Sequence, residues 1–288
     1  MESRVIASAL RVSSDFWRRI SNFDAIPIVY FTDRPNVGDL LNEYIVPRIS
    51  GKKIIKVKSS FMPHLRAVGS VVGSSSRYSY IWGSGSIDGV LPSRGIDGKK
   101  IFALRGEMTR RLIESAFDLD LRDVPLGDPA VLMPRFFYPA IAKINKIGIV
   151  PHFSDEEVIR GYLKELDLNH IEIIEVGQDP ESFISKILEC KYIFSSSLHG
   201  LILADSYGIP NGWIKVSDKL LGGNFKFLDY YSTTDSVASD PRVISRAHDL
   251  LSVLECPDGY CRINSYIHSL DALIESFPSK YRVNNYVG

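Results

Sequence analysis

The sequence has no surplus of charge: Lys and Arg together number 34, and so do Asp and Glu. That balance removes any global electrostatic case for a nucleic-acid partner, which a basic face or high pI would announce. Cysteine is scarce as well. Cys190, Cys256 and Cys261 cannot complete a disulfide set, and the four residues between the last two are not a zinc-ribbon spacing. A reducing compartment is therefore expected. No run approaches the roughly 18–20 apolar residues of a membrane span. The N-terminus lacks the apolar core and small-residue cleavage site of a secretory signal, so the expected location is the cytoplasm. His64, His170, His248 and His268 have no metal-like spacing with cysteine or carboxylates, so no metal is expected and these histidines are read as structural. No internal repeat and no low-complexity tract is present.

What the chain does have is apolar material, 45% of 288 residues, enough for ordinary buried cores. At about 100–200 residues per domain, that length favours two. Short apolar runs bounded by Gly, Ser and Asp alternate with helical periods, which argues for mostly parallel sheets covered by helices. "IPIVYF", "KKIIKV", "LRAVGSVV", "YSYIWG" and "KKIFAL" read as strands, with helices at "GDLLNEYIVPRI" and "EMTRRLIESAF". A second series begins at "KIGIVPHF", after the Pro-rich "MPRFFYPAIAK". There "SDEEVIRGYLKEL" reads as a helix capped by Ser154, and Pro180 opens another behind Asp179. The expected units are residues 1–142, residues 143–262, and a terminal helix within 263–288 that packs back across the interface. In the first twenty residues Val5, Ala9, Val12, Phe16 and Ile20 share a helical face, with Arg4, Arg11, Arg18 and Arg19 elsewhere. Such a helix either packs on its own domain or lies on an anionic membrane with Phe16 and Trp17 at the interface.

Ligands of open parallel sheets bind outside the carboxyl ends of the strands, and there the unusual polar residues fall. "TDRPNVGDLLN" supplies Asn36, Gly38, Asp39 and Asn42, and "GSGS" supplies Gly83, Ser84 and Gly85. Arg105, His152 and the run Ser195-Ser196-Ser197-Leu198-His199 follow later strands. A helix starting near Leu198 would present unpaired N–H groups and the positive end of its dipole to an anion. His199 in its first turn would be placed to take or relay a proton. The plain alternative is one serine as a cap and His199 as a packing residue. Arg105 is the best guanidinium for a carboxylate or phosphate, against an ordinary ion pair with Glu107 or Glu114. Asp39 either accepts a proton or caps its helix. "GSGSIDG" lacks the dinucleotide fingerprint, which makes an oxidoreductase the weakest of the enzyme readings.

Seven stretches in order, "NVGDLLNEYIV", "IWGSGSI", "ALRGEMTRRLI", "PLGDPAVLMP", "IGIVPHFSD", "SSSLHGLILADSYGIP" and "KFLDYYST", resemble the polysaccharide pyruvyltransferase family. The resemblance implies an α/β fold of two Rossmann-like domains in a GT-B-like arrangement, with the site in the interdomain cleft. It implies transfer of pyruvate from phosphoenolpyruvate, a co-substrate rather than a cofactor, to a sugar of a lipid-linked bacterial glycan in exopolysaccharide or capsule assembly, with peripheral contact to the membrane. It also implies His199 and Asp39 as catalytic groups and Arg105, Ser196, Ser197 and Gly200 around the donor. Asn36, Gly38, Asn42, Gly83, Ser84, Gly85 and His152 would then lie around the cleft. Several family members carry an arginine where this chain has Ser197, which leaves Arg105, Arg110 and Lys219 as candidates to compensate. The competing readings are a GT-B glycosyltransferase using a nucleotide sugar and a non-catalytic glycan-assembly protein.

Overall fold

Two parallel sheets, each of five strands, form the framework of the computed structural model. The structure describes residues 14–283, apart from 32, 59–60, 93–94, 143, 145, 169, 220 and 237–239. Most of the amphipathic N-terminal stretch, residues 1–13, lies outside the described residues.

The first half runs α1 (described over 14–21), β1 (Ile26–Ile28), α2 (Val37–Ser50), β2 (Ile54–Lys56), β3 (His64–Arg66), β4 (Ser79–Trp82), β5 (Ile101–Ala103) and α3 (Glu107–Phe117). The second runs β6 (Lys146–Val150), α4 (Glu156–Glu165), β7 (Glu172–Ile173), α5 (Pro180–Glu189), β8 (Cys190–Ser195), α6 (Leu198–Ser206), β9 (Asn211–Lys215), α7 (Phe225–Tyr231), β10 (Arg242–Val243), α8 (Ala247–Glu255) and α9 (Leu270–Glu275). The strand orders are β2-β1-β3-β4-β5 and β10-β9-β8-β6-β7, and every pairing is parallel. Read from its own first strand, each sheet has the same order, that of a doubly wound sheet. Each therefore has a switch point where the winding reverses, between β1 and β3 in one and between β6 and β8 in the other. Crevices for ligands open at such points.

One buried apolar cluster joins the halves. It takes Leu41 and Ile45 from α2, Trp82 from β4, Ile184 and Ile187 from α5, and Leu201 and Ile202 from α6. Every described residue of α6 from Leu198 to Asp205 is buried, as expected of a helix apolar on all sides. The C-terminal segment returns to the first sheet. Trp82 donates its indole N–H to Leu273 O at 2.9 Å, and its ring meets Phe277 edge-on at 5.0 Å.

Local expectations fail where tertiary pairing intervenes. The terminal helix, expected from Ile263, starts at Leu270, where the Ser269 side chain accepts from Ala272 N. Residues before it are drawn into bridges, Arg262 with Asn211 and Tyr266 with Thr234. Only His64–Arg66 of "LRAVGSVV" and its neighbours is strand. Asp155, not Ser154, stands at the N-cap of α4. Ser154 Oγ lies 2.7 Å from His152 Nδ1 instead.

Candidate active site

Both switch points open into a single cavity of about 310 Å³, at the lower end of the small-molecule range. Phe31, Asn36 and Asp39 reach it from the exit of β1, Ser70 from β3, His152 and Phe153 from β6, Ser197 and His199 from β8, and Lys219 and Lys226 from beyond β9. The strand-end rule thus brings together Asn36, Asp39, His152, Ser197 and His199 from the exits of three strands, β1, β6 and β8, on both sheets.

Asn36 caps α2, its side chain accepting from Gly38 N. Asp39, one turn in, accepts from Phe31 N at 3.2 Å, so the cap reading belongs to Asn36 and not to Asp39. Burial pushes the Asp39 carboxyl up to about 6, opposed by nearby His199, the Phe31 N–H and Lys226. His199 sits in the first turn of α6 with Nε2 3.6 Å from Asp128 Oδ2. Asp128 is fully buried, and neither of those two atoms has a hydrogen-bond partner among the described residues. The arrangement is a buried carboxylate behind an imidazole, at a separation that a bound substrate can tighten. Gly38 makes room for it: a Cβ there would lie 2.0 Å from His199 Nδ1. Gly38→Ala is therefore expected to displace the ring and lower turnover by more than about tenfold with little loss of overall stability. Steady-state rates beside a thermal melt check this.

The serine run divides its labour. Ser195 Oγ accepts from Ser197 N at 3.0 Å, and the Ser197 and Val150 carbonyls share its single proton. Ser196 Oγ donates to Asp155 Oδ2 at 2.8 Å and accepts from His152 N at 2.9 Å. Its proton is committed to locking the exits of β6 and β8 together, which removes it from the expected phosphate cradle. Only Ser197 lines the cavity, and its hydroxyl makes no cap bond to α6. Gly200 faces the other way, where a Cβ would meet Ser195 Oγ at 2.4 Å, so it serves helix–strand packing.

Arg105 departs furthest from expectation. It is fully buried behind the wall, with Nε donating to Asp229 Oδ2 at 2.9 Å and its remaining nitrogens donating to Ser70 Oγ and Ser86 O. It touches the cavity only through Ser70. Gly85 packs flat on its guanidinium, and Gly83, at φ +82°, packs against Pro129. Ser84 Oγ donates to Gly69 O and accepts from Val71 N, fixing the loop after β3. Asn42 ties that strand to α2 through Val68 N and O. These residues shape the wall without forming its surface. Arg110 pairs with Glu107 and lies outside the lining, whereas Lys219 lines it.

The cation missed from the sequence is Lys226 on α7. Burial first, and then nearby Arg105, pulls its ammonium down to about 8, against the favourable charges of Asp155 and Asp39. Burial and the Lys226 charge hold His152 down at about 4, so it is neutral at pH 7. Asp128 was the other omission. Both lie in stretches that carry the family resemblance, "KFLDYYST" and "PLGDPAVLMP", but neither follows directly on an apolar strand run.

Among the described residues no cluster of three or more His, Cys, Asp or Glu could hold a metal ion, and no helix is long and apolar enough to cross a membrane. No solved structure matches the chain. An uncharacterized protein of Acanthamoeba polyphaga mimivirus is 32% identical over 219 residues, 72% of this chain and 74% of that protein. Succinoglycan biosynthesis protein ExoV of Rhizobium meliloti is 30% identical over 203 residues, 68% of this chain. The match covers 52% of ExoV, about half its length. The model of the polysaccharide pyruvyl transferase family matches residues 30–218, a span that contains Asp39, Arg105, Asp128, His152 and His199. The chain belongs to the polysaccharide pyruvyl transferase family.

Proposed function

We propose that the chain transfers the pyruvyl skeleton of phosphoenolpyruvate to two hydroxyls of a sugar in a lipid-linked glycan, forming a cyclic ketal and releasing phosphate. One observation carries the reading: a single cavity is lined both by groups suited to an anion, the α6 N-terminus, Lys226 and Lys219, and by groups able to move protons, His199 and Asp39. The donor's phosphate and carboxylate suit the first set. The reaction needs a proton added to the methylene carbon, two C–O bonds formed at C2 with loss of two hydroxyl protons, and departure of phosphate with the C–O bond electrons.

Asp39, with its carboxyl raised to about 6, supplies the methylene proton. His199, steadied by Asp128, takes a hydroxyl proton. His152, neutral, serves as a hydrogen-bonding group. In this reading the halves are two Rossmann-like units in a GT-B-like arrangement, with residues 1–142 toward the acceptor, 143–262 toward the donor and 263–288 bracing them. Release of inorganic phosphate from phosphoenolpyruvate, dependent on a glycan acceptor and matched by a pyruvyl ketal in the product, tests the function. Acceptor-independent silence across a panel of glycans that instead yields transfer from a nucleotide sugar would overturn it.

Asp39 also carries a stability signature. Its folded value lies above the unfolded one, so its contribution is intact below about pH 4 and is lost as pH rises through about 6. The loss is on the order of 2–3 kcal/mol. Asp39→Asn keeps an oxygen for the Phe31 N–H and removes the buried charge. It is expected to be more stable than wild type at pH 8, no more stable at pH 4, and nearly inactive. Urea unfolding at the two pH values checks the sign.

A further inference from the structure

We propose that a second cavity, at the amino ends of β1, β2 and β3, holds the phosphate of an anionic lipid headgroup while the aromatic rim beside it rests in the bilayer. This cavity, about 310 Å³, lies at the opposite end of the first sheet from the active site. Three cations line it, Arg19, Lys52 and Lys280, against one carboxylate, Asp24, which pairs with Lys52 at 2.8 Å.

The cavity has unmet donors. Arg19 Nη1 donates to Pro63 O at 2.6 Å. Arg19 Nε and Nη2 and the Tyr281 hydroxyl are buried with no hydrogen-bond partner among the described residues. Buried donors left unmet are costly, and a phosphate oxygen, anionic and acceptor-only, satisfies guanidinium and hydroxyl together. Burial also lowers the Arg19 guanidinium from its ordinary value, against the opposing influence of Tyr281 and the Asp15 carboxylate.

The rim is apolar and open to solvent: Phe23 is 92% exposed, Trp17 64%, Ile20 51% and Phe16 47%. Aromatic rings flanked by cations suit a membrane–water interface. A second copy of the chain fits less well, because a two-fold contact would set the same cations face to face. Since the catalytic cavity faces the other way, a docked protein would present it to distal sugars of a glycan rather than to those beside a lipid anchor.

The test is co-sedimentation of the full chain with vesicles of phosphatidylcholine, alone or mixed with phosphatidylglycerol. Light scattering and melts in inorganic phosphate run alongside. Wild type should bind the mixed vesicles and not the neutral ones. Trp17→Ser with Phe23→Ser should weaken partitioning more than tenfold, and Arg19→Gln and Lys280→Gln should each weaken it roughly fivefold. If Arg19→Gln fails to fold, Lys280→Gln carries the charge arm. Equal binding to both vesicle types, or variants that bind like wild type, would overturn the proposal. So would stabilisation by inorganic phosphate without vesicle binding, which marks a free-anion site, or a rim-dependent dimer that ignores vesicles.

Discussion

His199→Ala is expected to lower the rate of phosphate release by about 10²–10⁴-fold, the usual contribution of general acid–base catalysis, in a protein that still folds. The ring has one nitrogen toward fully buried Asp128 at 3.6 Å and is only 8% exposed, at the cavity wall. A packing histidine would not need a carboxylate at zero exposure with an unmet oxygen aimed at it. Asp128→Asn is expected to cost less than His199→Ala, because the imidazole remains. The double variant should be no worse than His199→Ala alone, since the carboxylate acts only through the ring and such effects do not add. A His199→Ala rate close to wild type, or full additivity with Asp128→Asn, would contradict the assignment.

Arg105→Ala and Asp229→Ala are each expected to destabilise the fold by about 3–5 kcal/mol, the cost of stranding one partner of a buried ion pair. Both side chains are completely inaccessible. Asp229 also accepts from Thr109 N at 2.8 Å and Thr109 Oγ1 at 2.7 Å, so the pair fastens α7 to the start of α3. Gly106 permits this approach, since a Cβ there would strike the Asp229 carbonyl. Removing both charges should cost less than the sum of the single changes, because neither is then left unpaired. Urea midpoints measure this. An unchanged midpoint for Arg105→Ala with weakened phosphoenolpyruvate binding would put the guanidinium back in the donor site.

Much of the site was legible because parallel sheets gather the carboxyl ends of their strands. Asn36, Asp39, His152, Ser197 and His199 each follow an apolar strand run closely, and the switch-point geometry brings them to one cavity. Arg105 satisfied the same rule yet turned inward. What decided its direction was Asp229, 124 positions along the chain, whose carboxylate no local pattern reveals. Lys226 was hidden for a related reason: it sits inside a short, mostly buried helix beyond the last central strand, between Phe225 and Phe227, where the local pattern reads as packing. Asp128 follows a single bridge residue, Leu126 paired with Leu104, rather than a strand readable from its own composition. The early helix start at Ile263 was a propensity argument overridden by the Tyr266–Thr234 bridge.

The central claim is that the cavity binds phosphoenolpyruvate through Lys226 and the α6 terminus. Thermal stabilisation of the purified chain by phosphoenolpyruvate, beside UDP- and GDP-sugars, tests it most directly. It should be measured from pH 6 to pH 9 in wild type and Lys226→Met. The account predicts a shift with phosphoenolpyruvate alone, which fades in wild type as pH rises through about 8, where Lys226 loses its charge, and is small at every pH in the variant. A shift produced by a nucleotide sugar and not by phosphoenolpyruvate, or an equal phosphoenolpyruvate shift in Lys226→Met, would contradict it.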